Sequence, residues 1–297
     1  MDLAAIEASL RSAIGKVRAI DDIVVPALVE RLWVTLETQA PLPRRGDRLP
    51  GGWHTIFCLK APTRTELGVD GLPEGLDGIP PVPMQRRMFG GARLTFHAPL
   101  IVGEPIRCES ELIDVKTRTS ATGHLAIVTM RHRYSGPNGL AVEEQQDLIN
   151  MEPIEQPAER QAKPANPAKA EPMPAATWQR KVEPDPIMLF RFSALTFNSH
   201  RIHYDAPYSA EAEKLPGLMV QGKLIALQLI ETARQAAPQG DVTRFEYRSG
   251  RPLFAGQGCV LKAALAGDGL GAQLWAEDGK GQVVQSASIA FAAPVRA

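Results

Sequence analysis

The sequence lacks the features of several specialised classes of protein. Its 297 residues include only three cysteines, Cys58, Cys108 and Cys259, which lie far apart. An odd number at this spacing fits neither a disulfide framework nor a zinc site, so a reducing, cytoplasmic compartment is expected. No run of about 18 apolar residues is present, so no membrane-spanning helix is expected. Charges occur throughout the N-terminal stretch, so no signal peptide is expected there.

Net charge is also lacking. The 33 basic and 33 acidic side chains give a formal net charge of zero. The chain therefore has no general electrostatic attraction to nucleic acid or to an anionic membrane, and neither is an expected partner. Hydrophobic residues make up 44% and charged residues 22% of the sequence. These values indicate a globular protein long enough to form two domains with cores.

Residues 152–176 form the clearest boundary in the chain. Proline, alanine and charged residues dominate this segment, and it contains no aromatic residue. Proline has no backbone N–H and fixes φ, so the segment predicts an extended, semi-rigid linker. The linker divides the chain into an N-terminal unit, residues 1–151, and a C-terminal unit, residues 177–297.

Each unit contains the same local pattern. A strand, a Pro-Leu-x-x-Gly turn and an alternating strand occupy residues 93–115 and again residues 244–265, with the turns at 99–103 and 252–256. Further strands follow in both units, and the second set contains the hairpin turn EDGKG. This self-similarity predicts two copies of one structural unit.

A helix is predicted before each set of strands. Residues 21–37 carry an apolar stripe of helical spacing, and residues 216–236 form the predicted counterpart in the second unit. The stretch 223–236 is apolar over so wide an arc that it should be buried under the following sheet. The sequence therefore predicts an α+β double hot-dog fold, in which each unit has a long central helix wrapped by a curved antiparallel sheet.

The most specific stretch is ALTFNSHRIHYDAPYS, which brings Asn198, His200, His203 and Asp205 close together. Such a group suggests a metal site, a proton-transfer site or a polar loop. The metal interpretation is weak, because His200-x-x-His203 lacks the third and fourth ligands that zinc requires. For Asp205, orienting His203 and ending the local turn are equally reasonable roles.

Three segments of the second unit together resemble the MaoC-like branch of the hot-dog superfamily, the enoyl-thioester hydratases and dehydratases: RFSALTFNSHRIHYD, PGLMVQG and YRSGRPLF. Members of that family carry an Asp-x-Asn-Pro-x-His motif. Asn198 falls on its acidic position and His203 on its histidine, while Gly222 falls on the glycine that opens the central helix. Gln221 stands where a histidine often precedes that glycine.

The first unit resembles a narrower group. Its segments GGWHTIFCLKAPTRTELGVDG and PPVPMQRRMFGGARLTFHAPLIVGE are similar to the N-terminal unit of mesaconyl-C4-CoA and itaconyl-CoA hydratases. Mitochondrial-type 3-hydroxyacyl-thioester dehydratases belong to the same neighbourhood. No acid or amide stands five residues before a histidine at the matching place in this unit. The N-terminal unit is therefore expected to be non-catalytic, leaving one active site per chain.

The resemblance implies a hydratase of unsaturated acyl-CoA thioesters that forms citramalyl-CoA from a C5 dicarboxylic substrate. It implies that His203 moves protons, that the Asn198 amide holds water and that the Gly222 N–H binds the enolate oxygen. No cofactor or metal is expected beyond the coenzyme A of the substrate. The alternatives are a fatty-acid 3-hydroxyacyl-thioester dehydratase, a non-catalytic acyl-CoA binding module, and a thioesterase using Asp205 or Glu211.

Arginines supply the predicted substrate contacts. Arg86, Arg87 and Arg251 are candidates for a substrate carboxylate or a coenzyme A phosphate, because guanidinium groups bind such oxyanions through paired hydrogen bonds. Val220 and Gln221 are expected to line the pocket beside the helix start. By analogy with other hot-dog proteins, the chain is expected to form a homodimer.

Overall fold

The computed structural model describes residues 2–75, 79–84, 86–120, 123–152, 173–237 and 241–293. Its helices are α1 (Leu3–Arg11), α2 (Pro26–Leu36), α3 (Pro186–Leu195), α4 (Ala206–Glu211) and α5 (Gly222–Ala236). The strands of the first unit are β1 (Arg18–Ile23), β2 (Arg86–Phe96), β3 (Pro105–Ser120), β4 (Gly123–Gly136) and β5 (Gly139–Met151). Those of the second are β6 (Trp178–Val182), β7 (Val242–Ser249), β8 (Cys259–Leu265), β9 (Gly271–Asp278) and β10 (Val283–Phe291). Most of the predicted linker, residues 153–172, lies outside the described residues.

These strands form one antiparallel sheet in the order β1-β3-β4-β5-β2-β7-β10-β9-β8-β6. Read outward from its centre, each half has the same order of strands. Residues 91–95 of β2 pair with residues 244–248 of β7 and join the halves. The Pro-Leu-x-x-Gly turns lie between β2 and β3 and between β7 and β8, as predicted. This symmetry confirms the predicted double hot-dog fold.

Helix α5 is the central helix of the second unit. It begins at Gly222, the position that the family resemblance implies, and not at residue 216, where the predicted segment starts; residues 224–233 are all buried. Strands β8, β9 and β10 pack against it. Burying one leucine or isoleucine side chain contributes about 1.5–3 kcal/mol to the free energy of folding. The leucines and isoleucines of this helix are therefore a major part of the core.

The first unit covers the remaining face of α5. The buried carboxylate of Glu231 accepts hydrogen bonds from the Trp53 indole N–H at 3.0 Å and from the Thr38 hydroxyl at 3.0 Å. Gln228 donates from its amide to the carbonyl of Leu36 at 3.1 Å. Because these polar side chains find partners in the other unit, α5 can be buried all round without leaving them unsatisfied.

The helix of the first unit differs from its prediction. Residues 21–23, predicted to be helical, belong to β1, and α2 begins only at Pro26. Proline suits the first turn of a helix, because its missing N–H would be unpaired there anyway. Helix α2 follows strand β1 as α3 follows β6, so it corresponds to α3 and not to α5.

In the first unit, the position between α2 and the sheet is taken by the buried 3₁₀ turn Trp53–Ile56. The preceding segment, residues 41–52, contains three prolines and three glycines, which oppose a long helix. The first unit therefore lacks the long central helix of the second unit, although the two halves of the sheet match.

No helix in the described ranges is long and apolar enough to cross a membrane.

The join between the units depends on close backbone contact at Gly91. Its φ is +150°, and a Cβ there would lie 2.3 Å from the carbonyl oxygen of Tyr247 on β7. We expect Gly91→Ala to separate β2 from β7 and to lower the free energy of unfolding by about 2–3 kcal/mol in urea titrations. Gly258→Ala, where a Cβ would meet open space, is the matched control and should change it by less than about 0.5 kcal/mol. Equal effects of the two substitutions would contradict this account of the join.

Candidate active site

His203 ends the 3₁₀ turn Arg201–His203 and is buried, with 6% of its surface exposed. Its Nδ1 lies 2.6 Å from the carbonyl oxygen of Met219. A carbonyl oxygen can only accept a hydrogen bond, so Nδ1 carries the proton and the neutral ring keeps a lone pair on Nε2. The N–H of Met219 donates to the carbonyl of Ile202 at 2.9 Å. Two hydrogen bonds therefore tie the histidine turn to the segment that enters α5.

The surroundings of His203 keep it neutral. Burial lowers the pKa of His203 to about 4, although its hydrogen bond to the Met219 carbonyl acts in the opposite direction. At neutral pH the ring is therefore uncharged and its Nε2 is free to accept a proton. This is the protonation state that a general base needs before reaction.

Asn198 is held by a strained backbone. The preceding residue, Phe197, has φ of +48°, which a bulky side chain adopts only at a cost. The Asn198 N–H donates to the carbonyl of Ser193, and its Oδ1 accepts from the N–H of His200 at 3.1 Å. Since Oδ1 faces a donor, the orientation of the amide is defined, and Nδ2 has no partner among the described residues. Asn198 is therefore able to donate a hydrogen bond to a bound water.

Gly222 is the first residue of α5, and no described residue accepts a hydrogen bond from its N–H. A Cβ at this position would lie 3.2 Å from the hydroxyl of Ser249 and 3.7 Å from the amide nitrogen of Gln285. The glycine thus leaves room beside an unpaired N–H at the positive end of a helix. Such a position can stabilise negative charge on an oxygen.

Gln221 and Val220 lie in the core and not on an open surface. The Gln221 amide nitrogen donates to the carbonyl of Leu189 at 3.0 Å and to the hydroxyl of Ser193 at 2.9 Å, both on α3. Its Oε1 is buried and has no partner among the described residues. Val220 donates from its N–H to the Leu253 carbonyl, and its side chain lines an apolar cavity between α3 and α5.

Arg87 fixes a loop of the first unit against the histidine turn. Its guanidinium contacts both carboxylate oxygens of Asp70, at 3.0 and 3.3 Å. The carbonyl of Asp70 in turn accepts from the N–H of Arg201 at 2.9 Å. At Gly71, a Cβ would lie 2.0 Å from the carbonyl oxygen of Ser199, so the two loops are in direct contact. The structure therefore brings Arg87 to the edge of the site, with its charge already paired.

His200 also belongs to this site. Its ring lies edge-on to that of His203, with centroids 5.5 Å apart. Burial lowers the pKa of His200 to about 3, and the charges of His203 and Arg87 act in the same direction. No group of three or more His, Cys, Asp or Glu side chains in the described part of the chain is placed to hold a metal ion.

The other candidate arginines differ in their surroundings. Arg86 forms an ion pair with Glu213 at 3.1 Å. Arg251 has no hydrogen bond or ion pair to any described residue and is half-buried. The segments around Val220 and Leu253 run antiparallel, joined by the hydrogen bond between these two residues. Continuing that register places the backbone of Arg251 opposite Gly222, at the helix start.

Asp205 caps α4 instead of orienting His203. Its carboxylate accepts from the N–H of Tyr208 at 3.1 Å and pairs with Arg201 at 2.8 Å. Tyr204 is 46% exposed, and its hydroxyl donates to the carbonyl of Ser199. Of the two roles considered for Asp205, ending the local turn is therefore the one the structure supports.

One cluster of buried charged and polar side chains was not predicted from the sequence. Glu144 on β5 is 2% exposed and contacts His54 at 3.3 Å through one oxygen and Lys223 at 3.5 Å through the other. Burial acts to raise the pKa of Glu144, but Lys223 and His54 outweigh it and hold that pKa well below its usual range. These residues come from β5, the 3₁₀ turn and α5, and no local pattern connects them.

The chain is similar to several known proteins. The model of a family described as hydroxyacyl-thioester dehydratase type 2 matches residues 52–255. The mesaconyl-C(4)-CoA hydratase of Chloroflexus aurantiacus is 38% identical over 244 residues, 81% of this chain and 84% of that protein. The mitochondrial hydroxyacyl-thioester dehydratase type 2 of Schizosaccharomyces pombe is 27% identical over 270 residues, 80% of this chain and 86% of that protein. The structure of HtdX of Mycobacterium tuberculosis has the same fold, with a TM-score of 0.65 and 17% identity, covering 93% of this chain and 100% of that one.

Three histidines shielded from solvent, His200 and His203 buried and His132 half-buried, predict a loss of stability in acid. Burial lowers the pKa of His132 and of His203 to about 4, and that of His200 to about 3, from an ordinary value near 6.5. The unfolded chain therefore binds protons that the folded chain excludes. Stability should be complete above about pH 6.5 and fall towards pH 4, by about 1.4 kcal/mol per pH unit for each histidine.

Urea titrations at several pH values between 7.5 and 5 measure this slope. Replacing His132 by Gln should reduce the slope by about one proton, whereas the same change at the exposed His97 should leave it unaltered. A free energy of unfolding that is constant between pH 7 and 5 would show that these histidines are not buried in the neutral form.

Proposed function

The chain belongs to the hydroxyacyl-thioester dehydratase type 2 family of MaoC-like hot-dog proteins and is a hydro-lyase of acyl-CoA thioesters. On this basis we propose that it hydrates a branched C5 dicarboxylyl-CoA. The proposed substrates are mesaconyl-C4-CoA or itaconyl-CoA, and the product is citramalyl-CoA. The observation that carries the proposal is the neutral His203, whose Nε2 is unprotonated, held by Met219 beside the start of α5. The 38% identity to a mesaconyl-C(4)-CoA hydratase supports the choice of substrate.

With mesaconyl-C4-CoA, whose double bond is conjugated with the thioester, water attacks the β-carbon in the first step. The Asn198 amide nitrogen donates a hydrogen bond to the water oxygen and aligns it, while His203 Nε2 accepts the water proton. A new C–O bond forms as the π electrons move through the α-carbon onto the thioester oxygen. Positioning of the water contributes to rate because the reactants no longer have to be brought together from solution.

The negative charge that develops on the thioester oxygen is stabilised by the N–H of Gly222. This donor is fixed in place before the reaction and lies at the positive end of α5, so no reorganisation is needed. The imidazolium of His203 then returns its proton to the α-carbon, and the carbonyl re-forms. Asparagine at position 198 cannot transfer a proton, so one histidine performs both transfers, and the hydroxyl group and the α-proton add to the same face of the alkene.

A second candidate function has one observation in its favour. The cavity lined by Val220, on the α3 side of α5, has mostly apolar walls, with Met188, Leu224 and Leu261 among its lining residues. Such a cavity suits a straight acyl chain, as in a 3-hydroxyacyl-thioester dehydratase of fatty acid metabolism. The chemistry at His203 would be the same reaction in reverse, so a substrate panel separates the two functions.

Further proposals concern the setting of the enzyme. The free Arg251 near the helix start is suited to a coenzyme A phosphate or a carboxylate.

The thiols of Cys58, Cys108 and Cys259 are all free and buried, which supports a cytoplasmic location. Exposed apolar side chains on α3, Ile187 and Phe190, support association into a homodimer.

Loss of His203 should abolish hydration. We expect His203→Ala to lower kcat for mesaconyl-C4-CoA by about 100- to 10,000-fold, because the proposed general base is removed. Loss of ultraviolet absorbance of the conjugated thioester measures the reaction, with mass spectrometry for itaconyl-CoA. His97→Ala, at an exposed histidine, is the control and should retain full activity.

The same panel, extended with short and long straight-chain enoyl-CoA thioesters, tests the substrate. Hydration of the dicarboxylic thioesters supports the proposal, and hydration of straight chains alone would favour the fatty-acid dehydratase. Near-normal turnover by His203→Ala would overturn the assignment of the base.

A further inference from the structure

A second cavity lies on the opposite face of α5, where the two units meet. Its lining residues come from α5, β2, β5, β7 and the 3₁₀ turn of the first unit, and the cavity is partly open to solvent. Leu94, Ala226 and Phe245 form apolar parts of its wall, while Glu144 and Lys223 make its polar end. We name this space the seam pocket. None of the residues predicted for the site from sequence lines it.

The seam pocket leads away from the helix start. Gly222, Ala226 and Ile230 succeed one another every fourth residue, so they lie along one face of α5. On the facing strand β7, Tyr247 and Ser249 point to the same side because strand side chains alternate. The Ser249 hydroxyl lies 3.2 Å from the place of a Cβ on Gly222, and Tyr247 lines the pocket beyond it. An acyl group bound through its thioester oxygen at Gly222 would therefore extend into the seam pocket.

Polar groups in this path have unused hydrogen-bonding capacity. The hydroxyls of Tyr247 and Ser249 are buried and have no partner among the described residues. Tyr247 is only 3% exposed. Buried polar groups are normally hydrogen-bonded, so an unpaired pair lining one path indicates a missing polar ligand.

Lys223 adds a charge with free donors. Its ammonium is 3.5 Å from Glu144 and 5.6 Å from the centroid of the Phe89 ring, and it donates no hydrogen bond to any described residue. Glu144 is contacted by His54 through its other oxygen, so its charge does not depend on Lys223 alone. The three ammonium donors are therefore able to turn to an oxyanion in the pocket while the ion pair persists.

From this geometry, and resting on the function proposed above, we infer that the seam pocket binds the acyl end of the substrate and that Lys223 selects acyl groups bearing a free carboxylate. The carboxylate accepts from the Lys223 ammonium and from the Tyr247 hydroxyl, both unspent in the free protein. A straight-chain acyl group would instead place a methyl group against the ammonium and leave these donors unpaired.

Lys223→Met tests this assignment with the full-length enzyme. KM should rise about 10- to 100-fold for mesaconyl-C4-CoA, because a hydrogen-bonded ion pair with the substrate is lost. KM for crotonyl-CoA, a short thioester without the second carboxylate, should stay the same or fall. Lys262→Met removes a similarly half-buried lysine that pairs with Glu277 on the far side of the sheet, and both KM values should be unchanged.

A second variant guards against a purely structural effect. Lys223→Met alone leaves the buried negative charge of Glu144 without its lysine partner. The double variant Glu144→Gln with Lys223→Met, called the pair variant, removes both charges together. If Lys223 recognises substrate, the pair variant also loses its preference for mesaconyl-C4-CoA while its melting temperature stays near that of the wild type. Preference retained in the pair variant, or equal KM changes for both thioesters, would overturn the inference. Failure of the wild-type enzyme to hydrate any dicarboxylic thioester would instead overturn the proposed function, and this inference with it.

Discussion

The hydrogen bond between His203 Nδ1 and the carbonyl of Met219 is the interaction on which the site depends. It selects the tautomer whose Nε2 can accept a proton, and it joins the histidine turn to the segment entering α5. The hydrogen bond thereby connects the proposed proton acceptor to the segment that leads, three residues later, into Gly222. Burial lowers the pKa of His203, so the proposed base is neutral before substrate arrives. Asn198, set by the strained Phe197, completes the group without supplying a second base.

The fold was predictable where local patterns decide it. The wide apolar arc after Gly222 identified α5, and the repeated Pro-Leu-x-x-Gly turns identified the two equivalent halves of the sheet. The helix predicted over residues 21–37 was wrong at its start, because pairing with β3 draws residues 18–23 into a strand. That pairing is long-range and competes with a helical pattern that the local sequence also satisfies.

The part of the candidate site that lies within residues 198–222 could be predicted from the sequence. His203, Asn198 and Gly222 lie within 25 residues of one another, and their spacing matches a known motif. Glu144, His54 and Lys223 meet only because β5 and the 3₁₀ turn of the first unit cover α5. Nothing in the separate segments indicates this meeting. Likewise, whether Asp205 oriented His203 or capped a helix depended on side-chain direction, which sequence spacing does not specify.

The two units differ in helix content, and each contributes different residues to the candidate site. Prolines and glycines before Trp53 keep the first unit from forming a long helix, so its side chains reach across to α5. The second unit supplies the proposed base and the helix start. The first unit supplies the loop that contacts the histidine turn, and Glu144 at the polar end of the seam pocket. One complete site thus arises from two units of the same topology.

The central claim is that a single base, His203, performs both proton transfers. Hydration of mesaconyl-C4-CoA in D₂O tests it most directly, because the product carries deuterium on the α-carbon and a hydroxyl group on the β-carbon. Nuclear magnetic resonance of the isolated product gives the relative configuration of these two centres. One base predicts that both groups add to the same face of the double bond. Addition to opposite faces would require a second proton donor across the substrate and would contradict the account.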